Sequence, residues 1–396
     1  MLTLDSYNFK GKTAFVRVDL NSPVDEKTLA VEKGERIAAH AQTVRELSDK
    51  GAAVVVLAHQ GRKGDYDCIS LSQHALFLGS EVKKPVRFVD DVCGKKAKDA
   101  IRSLEAGGIL LLDNVRFLDD EAKYKTMEEN ASAAIVKELS PLCDVFVLDA
   151  FSVSHRAQAS VVGFYKKPVV AGRVMERELI ALNKLREPAR PSVFIFGGAK
   201  PDDSIGIMQA WLSEGKLDCA LTCGVLGELF ILASGRGLGK TLEYLKEKET
   251  IGRLPAAKAL LMKYKGKILF PEDVAIISQG KRKELAIREL PSQESIGDIG
   301  KKTAAKYSGI IASAKTVMVN GPAGIYERQE FEYGTKTLLK AVEASSAFSV
   351  VGGGHTLSAL DRFKIQKKRL GYVSLSGKAF IEFLSGVELP GVKILG

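Results

Sequence analysis

Short apolar runs, rich in β-branched residues and four to seven long, recur along this 396-residue chain with amphipathic stretches between them. That alternation specifies βαβ units and a parallel sheet covered by helices. In the first half the runs are Phe15–Leu20, Ala53–Ala58, Val86–Val89, Ile109–Leu112 and Val145–Leu148. In the second they are Val193–Phe196, Ala220–Thr222, Ile268–Phe270, Val317–Val319, Ser349–Val351 and Tyr372–Ser374. The stretch ERIAAHAQTVRELSDKG is a typical spacer: Ile37, Val44 and Leu47 form an apolar stripe and Gly51 supplies a stop.

One hydrophobic core stops growing at roughly 250–300 residues, so a chain of this length is expected to form two. Between the two sets of runs, AGRVMERELIALNKLREPARP is a strong helix former ended by Pro188 and Pro191. The expected fold is therefore α/β: two Rossmann-like three-layer lobes with parallel sheets, spanning 1–172 and 191–385, joined by an interlobe helix and hinge over 173–190.

Hydrophobic residues make up 45% and charged residues 27%, a composition of packed globular proteins that argues against disorder. No apolar run reaches the ~18–20 residues of a membrane span, and MLTLDSYNFKGK lacks the apolar centre of a signal peptide, so the expected location is the cytoplasm. The five cysteines are scattered with no CxxC pair, which argues against a disulfide framework or a structural zinc site. A net charge of +10 calls for an acidic partner, and leaves nucleic acid, an acidic surface and a phosphorylated metabolite all open.

In an open parallel sheet, ligands bind outside the carboxyl ends of the strands. In the first half those ends read RVDLN, AHQGR, DNVRF and DAFSVSHR, bringing Arg17, Asp19, Asn21, His59, Arg62, Asn114, Arg116, Asp149, His155 and Arg156. A single arginine of this kind is ordinarily a salt-bridge partner, and His59 or His155 alone fits a structural role as well as a ligand contact. Four such ends on one edge, with Arg36 just inside the next helix, describe a cup for a small polyanion, because guanidinium forks match carboxylate and phosphate.

In the second half the ends are glycine-rich: GGAK, TCG, NGPAG, GGGHT and SLSGKA. Glycine there lets backbone N–H groups come close to a phosphate. Two look-alikes drop out. GRGLGKT (235–241) is one residue short of a Walker A loop and follows a helical stretch, and Cys219 and Cys223 have no further clustered ligands.

The order and spacing of VRVDLNSPV, GERIAAHAQTV, AHQGR, LLLDNVRF, DAFSVSHRAQAS, FGGAKPDDS, VNGPAGIYE, VVGGGHT and LPGVKIL resemble the phosphoglycerate kinase family nearly end to end, with GGGHT and the -DDS- ending most similar to its archaeal branch. The resemblance implies reversible phosphoryl transfer between 1,3-bisphosphoglycerate and ADP, giving 3-phosphoglycerate and ATP, with Mg²⁺ on the nucleotide. It implies that Asp19, Asn21, His59, Arg62, Arg116 and Arg156 bind the 3-phosphoglycerate moiety and that Arg36 bridges to the transferring group. It assigns Lys200 and Gly353, Gly354, His355 and Thr356 to the nucleotide phosphates and Glu327 to the ribose. Arg36 and Lys200 are the expected catalytic cations, meeting when the lobes close, and the C-terminal peptide 386–396 is expected to return to the first lobe. The chain is expected to act as a monomer that binds neither nucleic acid nor membrane.

Three positions depart from the family pattern. Ser204 stands where a second lysine is common. The STGGGA loop reads SLSGKA, which suggests Lys378 as the replacement cation. His355 stands where many relatives place an aspartate beside the metal; imidazole suits Mg²⁺ poorly, which leaves the protein ligand unassigned, with Asp202 and Asp203 as candidates that a solvated helix-start role explains better. The alternatives are another carboxylate phosphotransferase and a catalytically silent binding member; a nucleic-acid binder would need interleaved basic and aromatic residues that the sequence lacks.

Overall fold

The computed structural model describes residues 1–199 and 201–396, the side chains of 201–203 excepted. It divides into two compact units: Met1–Ile180 together with Val387–Gly396, and Ala181–Gly386.

The first unit is built on seven strands: β1 (Leu2–Thr3), β2 (Thr13–Arg17), β3 (Ala53–Leu57), β4 (Arg87–Val89), β5 (Ile109–Leu112), β6 (Val145–Leu148) and β7 (Val169–Ala171). They lie in the order β1-β7-β6-β2-β3-β5-β4, every pair parallel. Every residue of β3, β5 and β6 is buried, as expected of a parallel sheet covered on both faces. Alternate residues point to opposite faces, and Val54 and Val56 pack in one cluster with Ile37, Ala41, Val44 and Leu47 of the helix Glu35–Asp49. Gly51, the expected stop, takes φ +77° just beyond that helix.

Two short strands, β1 and β7, were not expected, and the first predicted run is displaced: β2 starts at Thr13 and ends at Arg17. Val18 and Leu20 stay fully buried after leaving the ladder, so the apolar run outlasts the strand.

The second unit has β8 (Ser192–Phe196), β9 (Cys219–Thr222), β10 (Ile268–Leu269), β11 (Asp273–Ser278), β12 (Lys281–Ala286), β13 (Asp298–Ile299), β14 (Thr316–Asn320), β15 (Phe348–Gly352) and β16 (Tyr372–Val373). Six form a parallel sheet in the order β10-β9-β8-β14-β15-β16. The other three form an antiparallel sheet, β12-β11-β13, beside the parallel one the sequence predicted. Its hairpin turns at Gln279 and Gly280, both at positive φ (50° and 73°), the geometry that matches strand twist in a two-residue loop.

The expected linking helix is observed as Arg173–Arg186, ending before Pro188, and the boundary between the units falls inside it. Its start is tied into the first unit. Asp149 accepts from Val174 N at 2.8 Å, Thr43 Oγ1 accepts from Arg173 N at 2.9 Å, and the Arg173 guanidinium pairs with Asp5, Glu46 and Glu176. Residues 387–396 join the first unit, with Leu389 and Leu395 buried and Gly391 N donating to Ser154 O at 2.9 Å. Among the described residues, no helix is long and apolar enough to cross a membrane.

Candidate active site

In the first unit the loops after β2, β3, β5 and β6 emerge from four strands at the sheet centre, all parallel, and so share one edge. Asp19 is buried there with both carboxylate oxygens engaged. Oδ1 accepts from Asn21 N at 3.0 Å, and Oδ2 meets Arg36 Nη1 at 3.0 Å and accepts from the Ser152 hydroxyl. Burial alone would raise its pKa, but the charge of Arg36 and the Ser152 hydrogen bond overturn that and hold it far below the usual carboxylate range. Asp19 thus fixes Arg36, which remains one-third exposed.

His59 is buried, and Arg17 Nη2 lies 3.2 Å from its Nδ1. Burial first, and then the Arg17 charge, hold its pKa far below the ordinary 6.5, so the ring is neutral. Arg17 can only donate, so Nδ1 accepts and the proton sits on Nε2. Asn21 Oδ1 accepts from Gly61 N at 2.8 Å, which leaves its amide N–H₂ as a donor. Gly61 is required at this turn: its φ is +68° and a Cβ would lie 2.4 Å from Asp67 O.

Arg62 and Arg156 are exposed at the same edge, while Arg116 is buried and its Nε has no partner among the described residues. Burial depresses the Arg116 pKa, and the neighbouring Arg156 and Arg62 charges add to it, so the three guanidiniums repel one another across a shared space. An anion placed there would relieve both effects.

Several expected edge residues serve the scaffold instead. Arg17 is fully buried and joins Glu121 through Ser160 (2.9 and 2.6 Å). Asn114 is consumed by backbone contacts to residues 60, 69 and 116. Asp149 pairs with His40 Nδ1 at 2.7 Å, and His155 Nε2 accepts from Arg156 Nε at 3.0 Å.

In the second unit the turns after β8, β9 and β14 mesh at backbone contact. Gly198 N donates to Pro322 O at 2.8 Å, Gly224 N to Ala323 O at 3.0 Å and Val225 N to Gly198 O at 3.1 Å. A Cβ on Gly197 would lie 2.2 Å from Pro322 O, so only glycine permits the approach. These turns border a cavity of about 390 Å³ whose walls include Val225, Ile231, Tyr244, Pro271, Val274 and Ile296.

Glu327 and His355 also line this cavity, with Glu327 Oε1 3.6 Å from His355 Nδ1. Gly353, at φ +92°, precedes the helix Gly354–Arg362. The first-turn N–H groups of that helix, at Gly354, His355 and Thr356, have no partner within it. Thr356 Oγ1 is buried and accepts from Gly321 N at 2.9 Å, tying two glycine turns together. Lys378 is 63% exposed in its own helix, pairs with Glu382 at 3.2 Å and lies outside the cavity wall.

Lys200 lies outside the described residues, as do the Asp202 and Asp203 side chains; Ser204 is buried. Gly235–Thr241 follows the helix Gly224–Ala233, which rules out the strand-to-helix setting of a Walker A loop. Burial pushes the Cys219 thiol to about 11, and Cys223 higher still. Among the described residues no group of three or more His, Cys, Asp and Glu could hold a metal.

Two buried cavity carboxyls escaped the sequence reading. Asp298 Oδ2 is held by Arg282 Nη1 (2.9 Å) and Gly334 N (2.7 Å), yet burial raises its pKa to about 6. Glu228 is pushed by burial to about 8. The available signal for Glu228 was a single acid inside GVLGELFILA, directly after a strand-end glycine.

A family model described as phosphoglycerate kinase matches residues 4–387. The phosphoglycerate kinase of Methanothermobacter thermautotrophicus is 40% identical over 396 residues, covering 99% of this chain and 96% of the relative; that of Methanosarcina mazei is 42% identical over 398, covering 100% and 94%. The crystal structure of phosphoglycerate kinase from Pyrococcus horikoshii OT3 superimposes with a TM-score of 0.92 at 36% identity, covering 100% of this chain and 98% of that one. The Coxiella burnetii phosphoglycerate kinase structure gives 0.84 at 33%, with the same coverage. Two α/β units, one edged with cations and one with glycine turns, thus match relatives over their whole length: the chain belongs to the phosphoglycerate kinase family and is a phosphotransferase acting on a carboxyl group, reversibly moving a phosphoryl group from 1,3-bisphosphoglycerate to ADP.

Proposed function

We propose that the units divide the substrates: the unit containing Met1–Ile180 takes the phosphoglycerate moiety, and Ala181–Gly386 takes the nucleotide. The observation that carries this is the cation cluster at the ends of four adjacent parallel strands, where Arg62, Arg116 and Arg156 repel one another beside a neutral imidazole. A ligand with a phosphate at one end and a carboxyl at the other suits that arrangement. The guanidinium forks take phosphate oxygens, while Asn21 N–H₂ and His59 Nε2–H donate to the remaining oxygens. Asp19 binds through the Arg36 and Asn21 that it positions.

In the second unit the first-turn N–H groups at Gly354, His355 and Thr356, with Gly353 before them, take nucleotide phosphates at the positive end of the helix dipole. Glu327, half-exposed at the cavity wall, takes the ribose hydroxyls. Lys378, now paired with Glu382 outside the cavity wall, is the further cation assigned to those phosphates, exchanging that partner for them.

In the transfer, a β-phosphate oxygen of ADP forms a bond to the acyl phosphorus as the bond to the acyl oxygen breaks, leaving a carboxylate. No proton needs to move in either direction, so the protein's task is alignment and charge stabilisation. Arg36 and Lys200 are assigned to the charge on the transferring group. Mg²⁺ bound to the nucleotide would supply charge neutralisation at the phosphates. Among the described residues Glu327 is the carboxylate at the rim, which fits a metal carried by the nucleotide better than one caged by the protein. We further take the chain to act as a cytoplasmic monomer, with substrate anions answering its basic charge.

The test is a coupled assay for 3-phosphoglycerate-dependent ADP production, run against a panel of other carboxylic acids. Arg116→Ala should raise the KM for 3-phosphoglycerate about 10- to 100-fold with the nucleotide KM unmoved, as expected for losing a hydrogen bond between charged groups. An unchanged KM for 3-phosphoglycerate would remove Arg116 from the site.

A further inference from the structure

Glu228 lies one turn into the helix Gly224–Ala233, four residues beyond the glycine that begins it, and its helix neighbours are all apolar or glycine. The side chain lines the 390 Å³ cavity, the residue is 9% exposed, and Oε2 has no hydrogen-bond partner among the described residues. Val225, Ile231, Pro271, Val274 and Ile296 share the wall with it and offer the carboxyl nothing to bond, and the wall hydroxyls of Thr241, Tyr244 and Ser295 do not reach Oε2. A bare buried polar group is destabilising unless something else completes it. Asp298, the other buried carboxyl of the cavity, has Oδ2 already committed to Arg282 and Gly334, and a Cβ on Gly334 would lie 2.2 Å from its Oδ1. Asp298 Oδ1, like Glu228 Oε2, has no partner among the described residues, but the bonds to Oδ2 anchor that carboxyl in the wall, whereas among the described residues Glu228 carries no such anchor and is left for a ligand.

We propose that the carboxyl of Glu228 reads the base of the bound nucleotide, pairing with the 6-amino group of adenine and the ring nitrogen beside it. The inference rests on the cavity being the nucleotide site. Adenine offers an N–H donor next to a nitrogen acceptor. A carboxylic acid offers the complementary acceptor and donor, whereas a carboxylate has acceptors alone.

Burial keeps the Glu228 proton bound up to about pH 8, so the donating form is the one present at neutral pH. The other titratable groups of the cavity wall are Tyr244, Asp298, Glu327 and His355. Among the described side chains, elements packed on this helix bring Cys219, Arg253, Lys258 and Lys263, and the β9 exit brings Cys223. None of these contributes to the Glu228 shift, which comes from burial alone.

The experiment compares ATP with purine riboside 5′-triphosphate, which lacks the 6-amino group, in the 3-phosphoglycerate-dependent assay on the full chain, with calorimetric titration of both nucleotides as a readout independent of turnover. The native enzyme should prefer ATP about tenfold or more, Glu228→Gln should keep that preference because an amide also pairs donor with acceptor, and Glu228→Leu should bring the two within about twofold. The change should appear in nucleotide KM and affinity, with the KM for 3-phosphoglycerate unmoved. An undiminished ATP preference in Glu228→Leu, its loss in Glu228→Gln, or no preference in the native enzyme overturns the assignment. Failure of the native enzyme to bind either nucleotide would instead overturn the placing of the nucleotide in this cavity.

Discussion

Asp19 and Glu228 are both buried carboxyls, and their surroundings drive them to opposite charge states. Asp19 has Arg36 and Ser152 to hold it ionised, while the burial of Glu228 is offset by no neighbouring charge and it keeps its proton. The second case carries a signed pH dependence. The folded chain holds the Glu228 proton up to about pH 8 and the unfolded chain releases it near 4.5. Its contribution to stability is therefore intact below about 4.5 and is lost as pH rises through about 8. The melting temperature of Glu228→Gln relative to the native protein should accordingly rise between about pH 5 and pH 9. A pH-independent difference would mean that the carboxyl is ionised throughout. At the opposite extreme of burial, Lys378 is a surface cation whose value lies in what it reaches. Lys378→Ala should raise the KM for ADP about tenfold, the cost of one lost charged contact, and a change under about twofold in steady-state assays would leave the Ser204 departure uncompensated.

Among the elements, those legible in the sequence were the ones whose environment is uniform. Runs such as Ile109–Leu112 and Val145–Leu148 are buried on both faces and announce themselves as apolar throughout. The β11–β12 hairpin did not, because KRKELA in β12 is mostly polar and half-exposed, so its period of two was masked by charge. The strand-end motifs located the cation-bearing loops of the first unit and the glycine turns of the second. They could not separate Arg116, which faces the shared cation space, from Arg17, whose guanidinium is turned inward to Ser160, because that choice depends on where a strand stops. Helix starts are equally three-dimensional. The carboxylate that receives the first turn of Arg173–Arg186 comes from Asp149, 25 residues earlier, and also meets buried His40. Asp149→Ala should destabilise the protein by about 2–4 kcal/mol, combining a lost cap with a stranded buried histidine. Urea unfolding would measure this, and a loss under about 1 kcal/mol would show that water replaces the carboxylate.

For the molecule as a whole, two separate cores predict that each substrate leaves its own mark. In hydrogen exchange, 3-phosphoglycerate alone should slow amides in the loops around residues 19–21, 59–62, 114–116 and 152–156. ADP alone should slow those around 197–199, 223–228, 320–327 and 353–356. Reversal of the two patterns, or protection by either ligand across both sets, would contradict the division of substrates. The chain path adds a consequence in time. The first unit is interrupted by the whole of the second, and its missing part is the segment Val387–Gly396, whose Gly391 closes on Ser154, two residues from Ser152 and from Arg156. During synthesis the second unit can thus be complete while the cation edge of the first still lacks its last support, so the older half of the nascent chain is the one that finishes folding last.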